Sequence, residues 1–170
     1  MDNQPRYKPL AASRFFPDGS SARPRVEGAV ARGELHADTA LWTGKTGGRL
    51  VEKPPVPITA ELLARGRERY DIYCSPCHDR LGTGKGMIVR RGYREPPSFH
   101  IDRLRQAPAG HFFDVMTNGF GAMPAYARQV AVRDRWAIAA YIRALQRSQH
   151  ASLADVPPAV RQALETEGAR

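Results

Sequence analysis

The sequence is short of cysteine, of long apolar runs, of strand-like alternation and of acid. Cysteine occurs twice in 170 residues, at positions 74 and 77, too few for the disulfide framework that staples small secreted domains. No stretch approaches the roughly 20 continuous apolar residues of a transmembrane helix. Met1 to Leu10 is polar and broken by proline, so no secretory signal is read there. No alternating β-branched run reaches strand length, which excludes a sheet protein and points to an all-α fold. Asp and Glu number 17 against 26 Lys and Arg, a formal charge of +9. What is plentiful is glycine and proline, 15 and 14 residues, which predict long connections. With 42% hydrophobic and 25% charged residues, the chain is too apolar for wholesale disorder and too polar for a multi-span membrane protein.

Three parts follow from the distribution. Residues 1–58 hold seven of the prolines and six of the glycines, with nine basic and six acidic residues, a net +3. Their apolar residues keep no helix or strand period. Ordering such a segment costs on the order of 1–2 kcal/mol per residue, so it is either disordered or an extended arm laid against a partner, and its aromatic residues favour the second. Tyr7, Leu10, Phe15, Phe16 and Trp42 are the anchors it offers. Residues 59–147 are the candidate domain, with 15 basic and eight acidic residues, a net +7. Thr59 is an N-cap, Glu61 favours the first turn, and Ile58 can staple to Leu63. Leu62, Gly66, Tyr70 and Tyr73 then recur along one helical face. A second helix is predicted after Pro108, carrying Phe112, Val115 and Met116 inward and stopping at Asn118-Gly119. A third runs from Val132 to Arg147 with Ile138, Tyr141, Ile142 and Leu145 in one stripe. Residues 148–170 form a short tail, with a helix expected from Ala159 to Glu167.

Cys74-Ser-Pro-Cys77-His78 carries most of the chemistry. Two thiols at i and i+3 lie on one side of a helical turn, placed to add across the two vinyl groups of a haem. The adjacent His78 then turns its imidazole to the iron. Two other readings use the same residues. Half of a zinc site needs a second ligand pair, and His36, His100, His111 and His150 offer none at short spacing. A thioredoxin-like thiol pair normally follows a strand, whereas a helix precedes Cys74 here. For haem attachment, the second nitrogen of His78 is expected to donate to a carbonyl of the following loop.

A haem iron held by one histidine takes a second axial group. Met87 lies too near His78 in sequence to reach the other face, and Met116 sits on an apolar helix face as a core residue would. Met123 lies in Asn118-Gly-Phe-Gly-Ala-Met123-Pro124, where two glycines let the backbone approach a flat ring and proline stiffens the next residue. Met123 is the expected iron ligand. His100 or His111 would make a bis-histidine alternative.

These residues resemble a class I c-type cytochrome: C-x-x-C-H after a first helix, a Met-Pro loop and a closing amphipathic helix. Gly66 and Tyr70 resemble that family's glycine and aromatic on the N-terminal helix. Trp136-Ala-Ile-Ala-Ala-Tyr141 resembles its C-terminal helix, the aromatic crossing over the glycine. The arm segments Gln4–Leu10, Ser13–Gly19 and Ser21–Pro24 resemble the monohaem cytochrome subunit of bacterial alternative complex III, a quinol:electron acceptor oxidoreductase. The resemblance implies a helical domain around one covalent haem c, with an extended N-terminal arm and a short tail. It implies an electron-transfer subunit with no catalysis of its own, on the periplasmic or outer face of the membrane. The other subunits of a membrane respiratory complex would dock on residues 1–58, and a terminal oxidase or small carrier would take the electrons. Family members typically carry a lipidated N-terminal cysteine; this sequence has none before Cys74.

With both axial positions filled, no small-molecule substrate is expected at iron. Arg80, Lys85, Arg90, Arg91, Arg94, Arg103 and Arg105 form the densest basic run. They suit steering toward an acidic partner, and Arg90, Arg91 and Tyr93 are candidates for the haem propionates. Aromatics do not interleave with the run in an RNA-binding pattern, so no nucleic-acid partner is expected. A free-standing periplasmic cytochrome and a thiol-redox module are the alternatives.

Overall fold

The computed structural model describes residues 4–8, 10–158 and 160–161. The chain divides into two compact units, Met1–Ala37 and Asp38–Arg170. The first is built of turns. Ala12 and Ser20 form one antiparallel bridge, and the Ser13 Oγ, in a buried side chain, accepts from Phe15 N at 3.2 Å. Arg23 donates to Asp18 at 2.9 Å and lays its guanidinium 3.9 Å over the Phe16 ring. Phe16 is therefore covered within the unit, while Tyr7, Leu10 and Phe15 are exposed.

The second unit is helical: α1 (Thr39–Thr43), α2 (Ala60–Tyr73), α3 (Ser75–His78), α4 (Met87–Arg90), α5 (Asp102–Arg105), α6 (Ala109–Asn118) and α7 (Val132–Ser148) among the described residues, followed by a 3-10 turn at Leu153–Asp155. Among the described residues, no helix is long and apolar enough to cross a membrane. Thr59 caps α2 as its sequence predicts, its hydroxyl accepting from Leu62 N at 3.1 Å. Helix α6 starts after Pro108 and stops before Gly119, and α7 starts at Val132. The expected helix from Ala159 to Glu167 lies, apart from Val160 and Arg161, outside the described residues.

Two departures concern residues 38–58. An expectation of helices alone overlooks one short ribbon, β1 (Lys45–Thr46) antiparallel to β2 (Arg49–Leu50). Gly47 and Gly48 have φ of +56° and +77°, the paired left-handed residues of a two-residue hairpin turn. The turn, rather than any strand propensity, makes the ribbon. The second departure is the reach of the arm. Residues 38–58 belong to the helical unit, because α6 needs them. Pro108 provides α6 with no side-chain cap, and the exposed first N–H groups are satisfied instead by this segment: Ala109 N donates to Glu52 O at 3.1 Å and Gly110 N to Val51 O at 2.9 Å. Trp136 of α7 donates its indole N–H to Leu41 O at 2.7 Å.

The core lies between α2, α6 and α7, with Tyr70, Phe113, Trp136 and Ile138 fully buried. Phe113 and Trp136 stack at 4.3 Å. Helices α2 and α7 meet at Gly66, facing Ala137 and Tyr141, as the resemblance to a c-type cytochrome implies. Their outer edge is tied by the Arg65 guanidinium, forked onto both oxygens of Asp134 at 2.8 and 2.9 Å.

Candidate haem site

Cys74 closes α2, its N–H donating to Tyr70 O at 2.9 Å. Pro76, near the start of α3, needs no N–H in that first turn. Cys77 N and His78 N both donate back to Cys74 O, at 3.1 and 2.9 Å. One tight turn thus sets Cys74, Cys77 and His78 on the wall of a single cavity of about 300 Å³. Met123 lines the same cavity. It is held by a bridge in which Phe120 N and Met123 O, and Met123 N and Phe120 O, pair at 3.0 Å. Gly119 and Gly121, with φ of +78° and +58°, let the chain reverse there. Apolar side chains, among them Phe112, Val130, Ile138 and Ile142, complete the walls.

The loop after His78 is organised by Asp79. Its backbone sits at φ +57°, an uncommon conformation for a residue with a side chain. The Tyr70 hydroxyl donates to Asp79 O at 2.7 Å. The carboxylate accepts from Leu81 N at 2.6 Å, Thr83 N at 3.3 Å, Lys85 N at 3.1 Å and the Thr83 hydroxyl. Partial burial pushes the Asp79 pKa up, but these hydrogen bonds outweigh it and hold the carboxyl below its ordinary value.

Burial decides the protonation of the other groups. It pushes the Cys74 thiol up to about 12, with the neighbouring Cys77 adding to the effect. A redox-active C-x-x-C needs a thiol whose pKa is lowered, so Cys74 argues against the thiol-exchange reading. Burial lowers His78 to about 4 against a small opposing effect of Asp79, leaving a neutral imidazole with a lone pair to give. Among the described residues no group of three or more His, Cys, Asp or Glu side chains is placed to hold a metal ion, which leaves the zinc reading without its remaining ligands. Two thiols, a neutral imidazole and a thioether around one apolar cavity fit a covalently tethered haem.

The expected hydrogen bond from His78 to the following loop is absent. His78 Nδ1 is buried without a partner, and several carbonyls of the following loop accept from other donors. Cys77 O takes Gly86 N, His78 O takes Gly84 N, Gly82 O takes Phe99 N, and Leu81 O takes His100 Nε2. The His78 ring instead stacks on Phe99, centroids 4.6 Å apart and planes 13° from parallel.

Of the propionate candidates, Tyr93 lines the cavity. Arg90, the last residue of α4, and Arg91, its C-cap, are exposed and do not line it. Arg94, Arg103 and His111 do. The arginines stand in the same basic run, but only the fold shows which of that run turns to the cavity. Burial lowers the His111 pKa, with the charge of Arg103 adding to it. Met116 also lines the cavity and is buried, whereas Met87 is exposed and lies off it. His100 does not line it.

The family described as Cytochrome C oxidase, cbb3-type, subunit III matches residues 61–142. No curated protein matches the sequence. Among solved structures, a chain of the Kuenenia stuttgartiensis reducing HAO-like protein complex Kustc0457/Kustc0458 is similar, at 19% identity and a TM-score of 0.46. The similarity covers 63% of this chain and 54% of that one, so the present chain spans about half of its length. The family match falls on the stretch that brings Cys74, Cys77 and His78 to one cavity: residues 61–142 form a cytochrome c-type domain, an electron-transfer component that carries covalently bound haem c.

Proposed function

We propose that this chain is the monohaem electron-transfer subunit of a membrane quinol:electron acceptor oxidoreductase of the alternative complex III type. Cys74 and Cys77 provide the thioether links, and His78 and Met123 the axial ligands. When bound, the haem supplies one-electron cycling between Fe(III) and Fe(II). The observation that carries this reading is the convergence of Cys74, Cys77, His78 and Met123 on one apolar cavity. The apolar walls exclude water, and the neutral His78 presents a lone pair without first losing a proton. Arg103 and His111, rather than Arg90 and Arg91, are the side chains we assign to the propionates. With His78 and Met123 both holding the iron, no small-molecule substrate would bind there.

Residues 1–37 are the docking part of the arm, since residues 38–58 are taken up in the helical unit. Exposed Tyr7, Leu10 and Phe15 are its contacts with other subunits of the complex. The run from Arg80 to Arg105 is exposed throughout its basic positions and steers an acidic oxidase or carrier toward the haem. The working place is the periplasmic or outer face of the membrane.

The chain made with haem-attachment machinery is expected to be red, to keep its colour through acid-acetone extraction, and to sharpen its visible bands with dithionite. Colourless protein would overturn the reading of the site. For the complex, deletion of residues 4–37 is expected to release the red domain from membranes into the soluble fraction. Full-length chain that is already soluble and unassociated in its own cells would favour a free-standing cytochrome.

A further inference from the structure

We propose that Arg143 of α7 is a positioning residue: it fixes the connection between α5 and α6, and through it the Arg103 and His111 side chains that meet the haem propionates. The inference rests on the reading of those two side chains as the propionate partners. Arg103 belongs to α5 and His111 to α6, and both line the cavity. Residues 106–108 are all that separates the two helices, so the placing of both side chains depends on how that short connection is held. Helix α5, four residues long, cannot hold it alone. The last carbonyls of a helix have no partner within it, and a helix of one turn is mostly ends.

Arg143 supplies what the connection lacks. Its Nη1 donates to Arg105 O at 3.1 Å and to Leu104 O at 3.4 Å, and its Nη2 donates to Ala107 O. A guanidinium carries five N–H donors in a rigid fork and no acceptor, which suits a row of carbonyls that a single ammonium could not span. Buried Gln146 steadies the fork: its Oε1 accepts from Arg143 Nη1 at 2.8 Å, and its Nε2 donates to Leu104 O at 3.2 Å. The guanidinium also lies 5.0 Å over the ring of Phe112, a cavity residue and the neighbour of His111 in sequence. The carbonyls of the connection are thus held from α7, while the N–H groups after it are held by Glu52 O and Val51 O. Arg143 does not itself line the cavity, and these hydrogen bonds end on neutral amide oxygens. Its part is to place other side chains.

The test is the midpoint potential of the purified holoprotein, read by spectroelectrochemical titration. A cation beside the propionates favours Fe(II), so Arg103→Met is expected to lower the potential. Arg143→Lys keeps the charge at position 143 but loses the fork. It is expected to lower the potential too, to speed amide exchange at residues 104–111, and to keep the Fe–S charge-transfer band. In the Arg103→Met background the same substitution should shift the potential by less, since one of the two side chains it places is gone. Arg147→Met removes an exposed charge one turn further along α7 and is expected to leave the potential unchanged. The parent potential in Arg143→Lys overturns the proposal, because the charge alone would then suffice. An equal shift in both backgrounds also overturns it, as does loss of the charge-transfer band, which would make Arg143 a support of the whole core. If Arg103→Met and His111→Asn each keep the parent potential, the propionate reading beneath the proposal fails instead.

Discussion

Gly66 of α2 lies directly against the Ala137 carbonyl of α7. A Cβ built at Gly66 would overlap that carbonyl and stand 3.0 Å from the Tyr141 Cβ. The helices can approach this closely only because one side chain is missing, and the contact brings Tyr70 within 5.4 Å of Tyr141. Gly66→Ala is therefore expected to destabilise the holoprotein by about 1–3 kcal/mol through overpacking, although alanine is the better helix former. Chemical denaturation followed by circular dichroism reads the loss. An unchanged midpoint would mean that the helices can move apart freely.

Trp136 ties the segment before α2 to the core. Trp136→Phe keeps an aromatic against Phe113 but leaves Leu41 O without its donor. The expected cost is about 1–3 kcal/mol. Faster amide exchange should appear at residues 41–51, where the ribbon and α1 lose their anchor, while α2 keeps its protection.

Asp79 couples the loop beside His78 to pH. Its carboxyl in the folded chain sits below its ordinary value, so the folded state holds this proton less well than the unfolded one. The stabilisation is complete above the unfolded value of roughly 4 and is lost as pH falls through the lower folded value. Asp79→Asn should reduce stability at pH 7 by about 1 kcal/mol, a figure discounted for the partial exposure of the carboxylate. Below pH 4 the variant and the parent should converge. Melting curves recorded from pH 3 to pH 7 would show the gap closing, and a constant gap would count against the role of the charge.

Two methionines line the cavity, and they should separate cleanly. Met123→Ala is expected to abolish the weak Fe–S charge-transfer band of the oxidised protein. Met116→Ala should keep that band while costing about 2–5 kcal/mol for a core cavity, since Met116 is buried among Phe112 and Val130. The opposite assignment of the band would make Met116 the ligand.

The sequence by itself determined what depends on neighbours along the chain. The C-x-x-C-H turn, the Thr59 cap, the start of α6 after Pro108 and the glycine-flanked Met123 are decided within a few residues, so they are legible as written. The helix faces that carry Gly66 and Tyr141 are legible through spacing, because both lie on long amphipathic helices, whereas their pairing was implied by the family resemblance. Tertiary structure decided the rest. Residues 38–58 lack any period of their own, and the short α1 and ribbon they form are tied to the core by the hydrogen bonds that α6 and Trp136 need filled. Arg103 and His111 reach the cavity while Arg90 and Arg91 do not, because short turns, invisible to a 3.6-residue pattern, choose which basic side chain faces inward. The stacking of Phe99 on His78 joins residues 21 apart in sequence, and Gln146 reaches back 47 residues to hold it. Such contacts exist only once α2 and α7 have closed over Gly66, since it is that closure which brings the loop, the ring and the ligand to one place.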